Sequence, residues 1–521
     1  MKKTALFISK IAYIIAALIL LVLMAESARY TYHYSITNLL DSTIREYKDH
    51  IILHIIRLPI GTVLFYLSGK VAFLDCKDAS ARKKRLNAFS AITAVIVFAL
   101  LAAWVFYAFI PPYWDQAQVY LDARAFMLGD YTDVGLKYLA MYPQQYGLIF
   151  FESILLHIWN HFGCLQIFNA ICISLSIYLS GQLAYEFSDS EKAGLYTSLL
   201  TAMCLPYGYY VSFVYGDVFF TFSMLLICYL LVKWRKSENA WFLLGSLLLS
   251  AILVPIRQNA LIFMIAIIIY LIIIAIKEKR GALVFFSLLF IALPLLTDKG
   301  IKVYYEAKSG MEIENNGIPA ISWIAMGLQG DVYAGEGVGY YNGFNQFSYV
   351  TGEYDKEKTA EYVKEVLNER VEEFKADPKM TVDFFRFKAF EQWLDPYFDS
   401  IQMTTGEAEY DSIKLLYNST VLNVVGFFMN GYQTFLFFFA FVYIILCIKG
   451  DKSLYSFVLT VAFIGGFLFS LIWEAKGRYI FPFFVILIPA ASIALDRTID
   501  YGKVLTDKIR ARKKKKNEEN I

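Results

Sequence analysis

Apolar runs that approach or reach the thickness of a bilayer recur along most of this chain. They lie near 6–24, 51–74, 88–110, 164–186, 193–213, 216–233, 241–256, 259–276, 282–297, 426–448, 454–473 and 479–496. A helix needs roughly 17–25 mostly apolar residues to cross hydrocarbon, so the pattern predicts about twelve transmembrane helices in an all-α polytopic membrane protein. The first run follows a basic start, MKK. A signal peptide has a shorter apolar core and a small-residue cleavage site, so this run is expected to remain as an uncleaved span.

One further stretch, 146–163, carries Glu152, His157 and His161. The distribution of charge decides its status. Basic clusters stand at Lys2/Lys3, Lys77 to Arg85, Lys233/Arg235/Lys236, Lys277/Lys279/Arg280, Lys449/Lys452 and along the C-terminal tail. If 146–163 does not span, all six fall on one side, as the cytoplasmic bias of Lys and Arg requires. Counting it as a span places the last four outside. The stretch is therefore expected as an interfacial or partly inserted helix. Both termini are then cytoplasmic, and the protein belongs in the cell membrane.

This topology leaves four polar segments outside: 25–50, 111–163, the short turn 214–217, and 298–425. The chain divides into two N-terminal transmembrane helices (1–87), a membrane core (88–297) holding the first outer loop 111–163, an extracytoplasmic loop domain (298–425), C-terminal transmembrane helices (426–496) and a basic cytoplasmic tail (497–521). The long loop is expected to be α-rich. Within it 355–375 reads as an amphipathic helix with i,i+4 charge pairs, and about 380–394 as a second helix richer in aromatics. RKKKK at 512–516 suits anionic lipid head groups, with a regulatory or partner site as the alternative.

Composition agrees with the pattern and narrows it. Hydrophobic residues make up 58% of the 521 and charged residues only 18%, too little polar surface for a soluble domain of this size. A net charge of +2 excludes a nucleic-acid binder of the basic-domain kind. That small number is a cancellation: 22 Asp/Glu face 12 Lys/Arg in 298–425, while the basic clusters lie on the other side. The six cysteines sit in or beside apolar runs and show neither a disulfide framework nor metal-ligand spacing.

Charges that remain at the outer ends of spans are the candidates for chemistry. Asp115 follows Pro111-Pro112 and Trp114, just beyond a span. It is either a solvated loop acid or a carboxylate able to take a proton from an acceptor hydroxyl. Asp122, Arg124, Asp130 and Asp133 follow in the same loop. Asp217 is a lone acid between two apolar runs, either a helix N-cap or a functional group. Arg257 sits in a tight turn after Pro255 with Gln258 and Asn259, and its planar fork suits phosphate unless it merely snorkels. The turn Glu474-Ala-Lys476-Gly-Arg478-Tyr479 places two cations outside, against the charge rule. A lipid phosphate would account for them, as would an ion pair with Glu474 or another outer acid. No row of charges lines the middle of the spans, which weakens a transporter reading.

At these residues the chain resembles the GT-C membrane glycosyltransferases, nearest to the bacterial protein O-mannosyltransferase and aminoarabinose-transferase branch. The resemblance covers most of 88–496. It rests on Asp115 in the first large outer loop, Asp217 two spans later, Arg257 and Asn259 after a proline, Trp393-Leu-Asp395-Pro396 in the long loop, and the final Glu474, Arg478, Tyr479 turn. It implies a polyprenyl-phosphate-linked sugar as donor and a cell-envelope glycan, lipid or protein as acceptor. The chain departs from the pattern where Gln116, rather than a second acid, follows Asp115, and in its two extra spans before residue 88.

The expected reaction is a single displacement with inversion. Asp115 is the base, Arg257, Arg478 and Lys476 bind the donor phosphate, and Asp217, with Asp122, orients the acceptor or shares a divalent Mg or Mn with Asp115. Asn259, Glu474, Tyr479, Lys388, Trp393 and Asp395 are expected in support. Two carboxylates do not by themselves define a metal site. Competing readings are a lipid-linked glycan polymerase or ligase, a lipid or glycan flippase or transporter, and a non-catalytic scaffold.

Overall fold

The computed structural model describes residues 2–38, 41–74, 76, 78–313, 316–334, 337–405, 420–450 and 456–519. Lys77, Lys452 and residues 406–419 of the long loop lie outside these. The chain is a helical, multi-pass membrane protein. In order its principal helices are α1 (Lys2–Ser27), α2 (Ile51–Ala72), α3 (Ala79–Ala108), α4 (Asp115–Met127), α5 (Tyr146–Leu156), α6 (Phe162–Ser188), α7 (Glu191–Met203), α8 (Asp217–Ser237) and α9 (Ala240–Ile256). There follow α10 (Ala260–Glu278), α11 (Ala282–Ser309), α12 (Lys356–Ala376), α13 (Pro378–Trp393), α14 (Thr420–Lys449), α15 (Phe457–Ile472), α16 (Gly477–Val485) and α17 (Leu487–Glu519).

Among the described residues, eight helices are long and apolar enough to cross a membrane: α1, α2, α3, α6, α8, α10, α11 and α14. The pair α16–α17, bent by 40°, reads as a ninth if it is one span, while α9 and α15 are shorter apolar helices. The run at 193–213 is not one helix. Pro206 has no N–H to bond the carbonyl four residues back, so α7 stops at Met203 and a new short helix, Leu205–Tyr209, starts with the proline in its first turn. The apolar stretch after Tyr146 forms only the 11-residue α5.

Side-chain caps set several of the helix starts. Asp78 accepts from the Ala81 amide, Ser190 from Ala193, Asp355 from Glu357 and Lys358, and Asp377 from Met380. The last two caps open α12 and α13, the two helices expected in the long loop. α6 is central, packing on α3, α7 and α8; α9 lies against α8 and α11, and α10 against α11 and α15. Gly181 and Gly194 let α6 and α7 close, and Ser180–Thr201 (2.9 Å) and Ser90–Ser198 (2.8 Å) hydrogen bonds join buried faces where the apolar effect gives little orientation.

The segment expected as a plain polar loop at 25–50 holds a two-stranded hairpin, β1 (Tyr30–Asn38) and β2 (Asp41–Lys48). Its Tyr32 ring packs on Phe387 and Phe390 of α13. At the opposite end of the helices the basic clusters pair with acids of neighbouring turns: Arg82–Glu191 (3.5 Å), Lys236–Asp189 (2.9 Å), Arg280–Glu238 (2.6 Å) and Arg235–Glu278. The turns carrying Asp115, Arg257 and Lys476 all lie at the other end, beneath the long loop.

Candidate active site

The chain leaves α3 through Pro111-Pro112 and enters α4 at Asp115. Trp114, immediately before it, has φ 52° and ψ −135°, a conformation that costs a bulky residue about 1–3 kcal/mol. The result is a carboxylate at a helix N-terminus, where the peptide dipoles favour negative charge. Among the described residues no donor bonds the Asp115 carboxylate and no cation pairs with it. Gln116 cannot serve as a second acid of a pair. It is buried, accepts from the Val214 amide (3.0 Å) and donates to the Met403 carbonyl (3.3 Å), so it ties this turn to two others.

Asp217 opens α8 after Gly216, whose φ of +83° few other residues adopt. Its Oδ1 accepts from both Nε (3.1 Å) and Nη2 (2.7 Å) of Arg257. With side chains only 4% and 11% exposed, this is a buried ion pair. Arg478, the second residue of α16, differs. It is buried, and among the described residues no carboxylate lies within 4.0 Å of it; its Nη2 donates to the Tyr479 hydroxyl at 3.3 Å. That hydroxyl donates to Glu474 (3.1 Å), which also pairs with Lys476 (2.7 Å).

The two guanidinium groups share two aromatic rings. The Arg257 carbon lies 5.2 Å from the Tyr215 centroid and 5.6 Å from Tyr479. The Arg478 carbon lies 5.2 Å and 4.9 Å from the same rings, and 5.4 Å from Phe213. Sharing Tyr215 bounds their separation at about 10 Å.

Asp115, both arginines and the rings they share face one cavity of about 980 Å³. Of the residues picked out in the sequence, Asp115, Arg257, Asn259, Glu474, Lys476, Arg478 and Tyr479 line it. Among the described residues the amide of Asn259 has no partner for either polar atom. The negative charge of Asp115 is felt across the cavity. Burial first, then neighbouring charge including Asp115, lifts the Tyr138 and Tyr215 phenols well above their ordinary range, and Tyr142 to about 12.

Five expected residues lie elsewhere. Asp217 is not in the cavity wall; its bonds go to Arg257, so it is a counter-ion behind the site and is not joined to Asp115 as an acceptor or metal group. Asp122 is buried within α4 and accepts from Gln118 (3.1 Å); burial pushes its carboxyl up to about 6. Lys388 donates to the Gly327 carbonyl, and Trp393 donates to Ser470 (3.1 Å) on α15. Asp395 accepts from the amides of Tyr397 (3.0 Å) and Asp399 (2.9 Å). Trp393 thus ties the long loop to α15, the Lys388 and Asp395 side-chain bonds stay within the loop, and none of the three lines the cavity. Among the described residues no group of three or more His, Cys, Asp or Glu side chains is placed to hold a metal ion.

Sequence reasoning missed the aromatic and amide walls: Tyr138, Tyr142, Tyr215, Trp323 and Trp473, with Gln145, Asn345 and Gln346. Trp323 and Trp473 lie parallel with centroids 6.1 Å apart. Gln145 donates to Tyr215 (2.6 Å), and Gln346 to Tyr142 (2.9 Å). The one available signal was YPQQYG at 142–147, which reads as a turn and supplies part of these walls. No protein-family model matches the chain, and no curated protein matches it in sequence.

Proposed function

We propose that this protein is a GT-C-type membrane glycosyltransferase that moves a sugar from a polyprenyl-phosphate donor to an extracytoplasmic hydroxyl acceptor. In this reading twelve segments traverse the cell membrane, both termini are cytoplasmic and the cavity opens outward under the 298–425 loop. The observation that carries the proposal is an unpaired carboxylate and a buried guanidinium with no carboxylate within 4.0 Å, among the described residues, in one cavity walled by aromatic rings and amides. Aromatic faces pack against the C–H faces of a saccharide, amides and carboxylates bond its hydroxyls, and a phosphate supplies the missing charge for Arg478.

Asp115 removes the acceptor proton as the acceptor oxygen bonds to the anomeric carbon. The bond from that carbon to the phosphate oxygen breaks on the opposite face, and the configuration inverts. The leaving phosphate gains charge beside Arg478, whose guanidinium is already oriented by three rings. Arg257, largely neutralised by Asp217, shapes the phosphate pocket more than it supplies charge, and Lys476 is shared with Glu474. The acceptor is a cell-envelope glycan, lipid or protein. Asp115 is the one carboxylate in the wall without a partner among the described residues, which leaves it free to take the acceptor proton.

The test is reconstitution of the full chain in liposomes with a labelled polyprenyl-phosphate monosaccharide and envelope acceptors. One sugar added per acceptor supports the proposal. A ladder of products indicates a polymerase or ligase, and movement of the donor lipid between leaflets without transfer indicates a flippase; either outcome overturns it.

A further inference from the structure

The turn that leads from α15 into α16 carries Glu474 and Lys476 and ends at Arg478 in the first turn of α16, and three successive amides, of Ala475, Lys476 and Gly477, donate to the long loop. Ala475 N–H donates to the Gly339 carbonyl (2.7 Å), Lys476 N–H to Gln392 Oε1 (3.3 Å) and Gly477 N–H to Asp399 Oδ2. The third contact is a helix cap delivered from another part of the chain. Gly477 is the first residue of α16, and among the described residues no local side chain caps that helix. The Asp399 carboxylate takes the cap position, one residue before Arg478. A glycine is needed there, because a Cβ would stand 2.8 Å from the backbone of Phe398.

The loop is strained to make this delivery. Phe398 and Asp399 have φ of 48° and 58°, two successive non-glycine residues in the left-handed region. Asp395 holds the bend through its two amide bonds, and the Tyr210 hydroxyl donates to the Phe398 carbonyl. Asp395 and Asp399 are both buried, and neither lines the cavity.

We infer that Asp399 is a positioning residue, whose carboxylate seats the α16 terminus so that Arg478 faces the donor phosphate. The role in donor binding rests on the proposed function; the seating of the turn does not. The long loop thereby sets phosphate geometry without touching the donor. Asp399→Asn keeps an acceptor oxygen at the cap, whereas Asp399→Ala removes it.

The experiment uses the full-length protein in detergent and two readouts. Amide hydrogen exchange over 473–481 is expected to quicken about tenfold or more in Asp399→Ala, with exchange in α6 unchanged and Asp399→Asn close to wild type. Binding of farnesyl phosphate, followed by tryptophan fluorescence, is expected to weaken about tenfold in Asp399→Ala while farnesol binding holds. Unchanged exchange in Asp399→Ala overturns the inference, as does equal loss of farnesyl phosphate and farnesol. If the wild type binds no farnesyl phosphate, the donor reading falls and the exchange result alone decides the seating. If the alanine protein does not fold, Gly477→Ala parts the same cap by forcing a Cβ against the Phe398 backbone; unchanged exchange over 473–481 there overturns the inference equally.

Discussion

The two arginines of the cavity should fail in opposite ways when removed. Arg257→Ala takes both hydrogen bonds from Asp217 and leaves a carboxylate that is 4% exposed without its counter-ion. Breaking a buried pair from one side costs about 3–5 kcal/mol, so the protein should lose stability. Arg478→Ala removes a buried cation with no carboxylate partner among the described residues. Its ring contacts at 4.9 to 5.4 Å are worth about 0.5–2 kcal/mol each, and relief from desolvation offsets them. Stability should change by no more than about 2 kcal/mol. Transfer should instead fall about 10²–10³-fold, the effect of removing a donor aimed at developing anionic charge. The assay pairs thermal unfolding in detergent with transfer from a labelled polyprenyl-phosphate sugar. The double variant Asp217→Ala/Arg257→Ala should recover much of the lost stability, because no orphan charge remains. An Arg478→Ala protein whose Tm falls as far as that of Arg257→Ala, or that transfers sugar at the wild-type rate, would refute these separate roles.

Three further outcomes follow from the geometry. Burial raises the folded-state pKa of Asp122 to about 6, above its unfolded value, so its contribution is most favourable at low pH and is lost as pH rises from about 4 through 6. Asp122→Asn should therefore raise Tm at pH 7.5, with the gain shrinking as pH falls toward 4 in a thermal-unfolding series. Gly147→Ala places a Cβ against the Pro255 carbonyl, so α5 must shift from the turn that carries Arg257; loss of both Tm and donor affinity is expected. Gly327→Ala puts a Cβ 2.5 Å from the Trp473 backbone and should loosen the long loop, read as faster proteolysis of 298–425 with the helical core intact.

The helical fold was legible because a bilayer demands a run of apolar residues whose length is fixed by its thickness. What escaped was local. Pro206 divides an apolar run that hydropathy alone joins, and the β1–β2 hairpin hides in a segment whose alternating tyrosines count as polar loop. Asp115, Arg257 and Arg478 stood out because an isolated charge beside hydrocarbon is costly. Asp217 was noticed for the same reason, yet nothing in a linear sequence shows that its partner lies 40 residues away. The aromatic walls were invisible for the opposite reason: at 17% aromatic residues, one more tyrosine is background until the fold gathers them. Lys388, Trp393 and Asp395 carried motif-like weight, but their bonds run to backbone and to Ser470, away from the cavity.

The most direct measurement is the transfer rate of Asp115→Asn in liposomes supplied with a labelled polyprenyl-phosphate sugar and acceptor. The substituted amide is isosteric with the carboxylate and unable to take a proton. The expected result is a folded protein that binds farnesyl phosphate as the wild type does and transfers sugar about 10²–10⁴-fold more slowly. A folded Asp115→Asn protein that transfers sugar at the normal rate would contradict it.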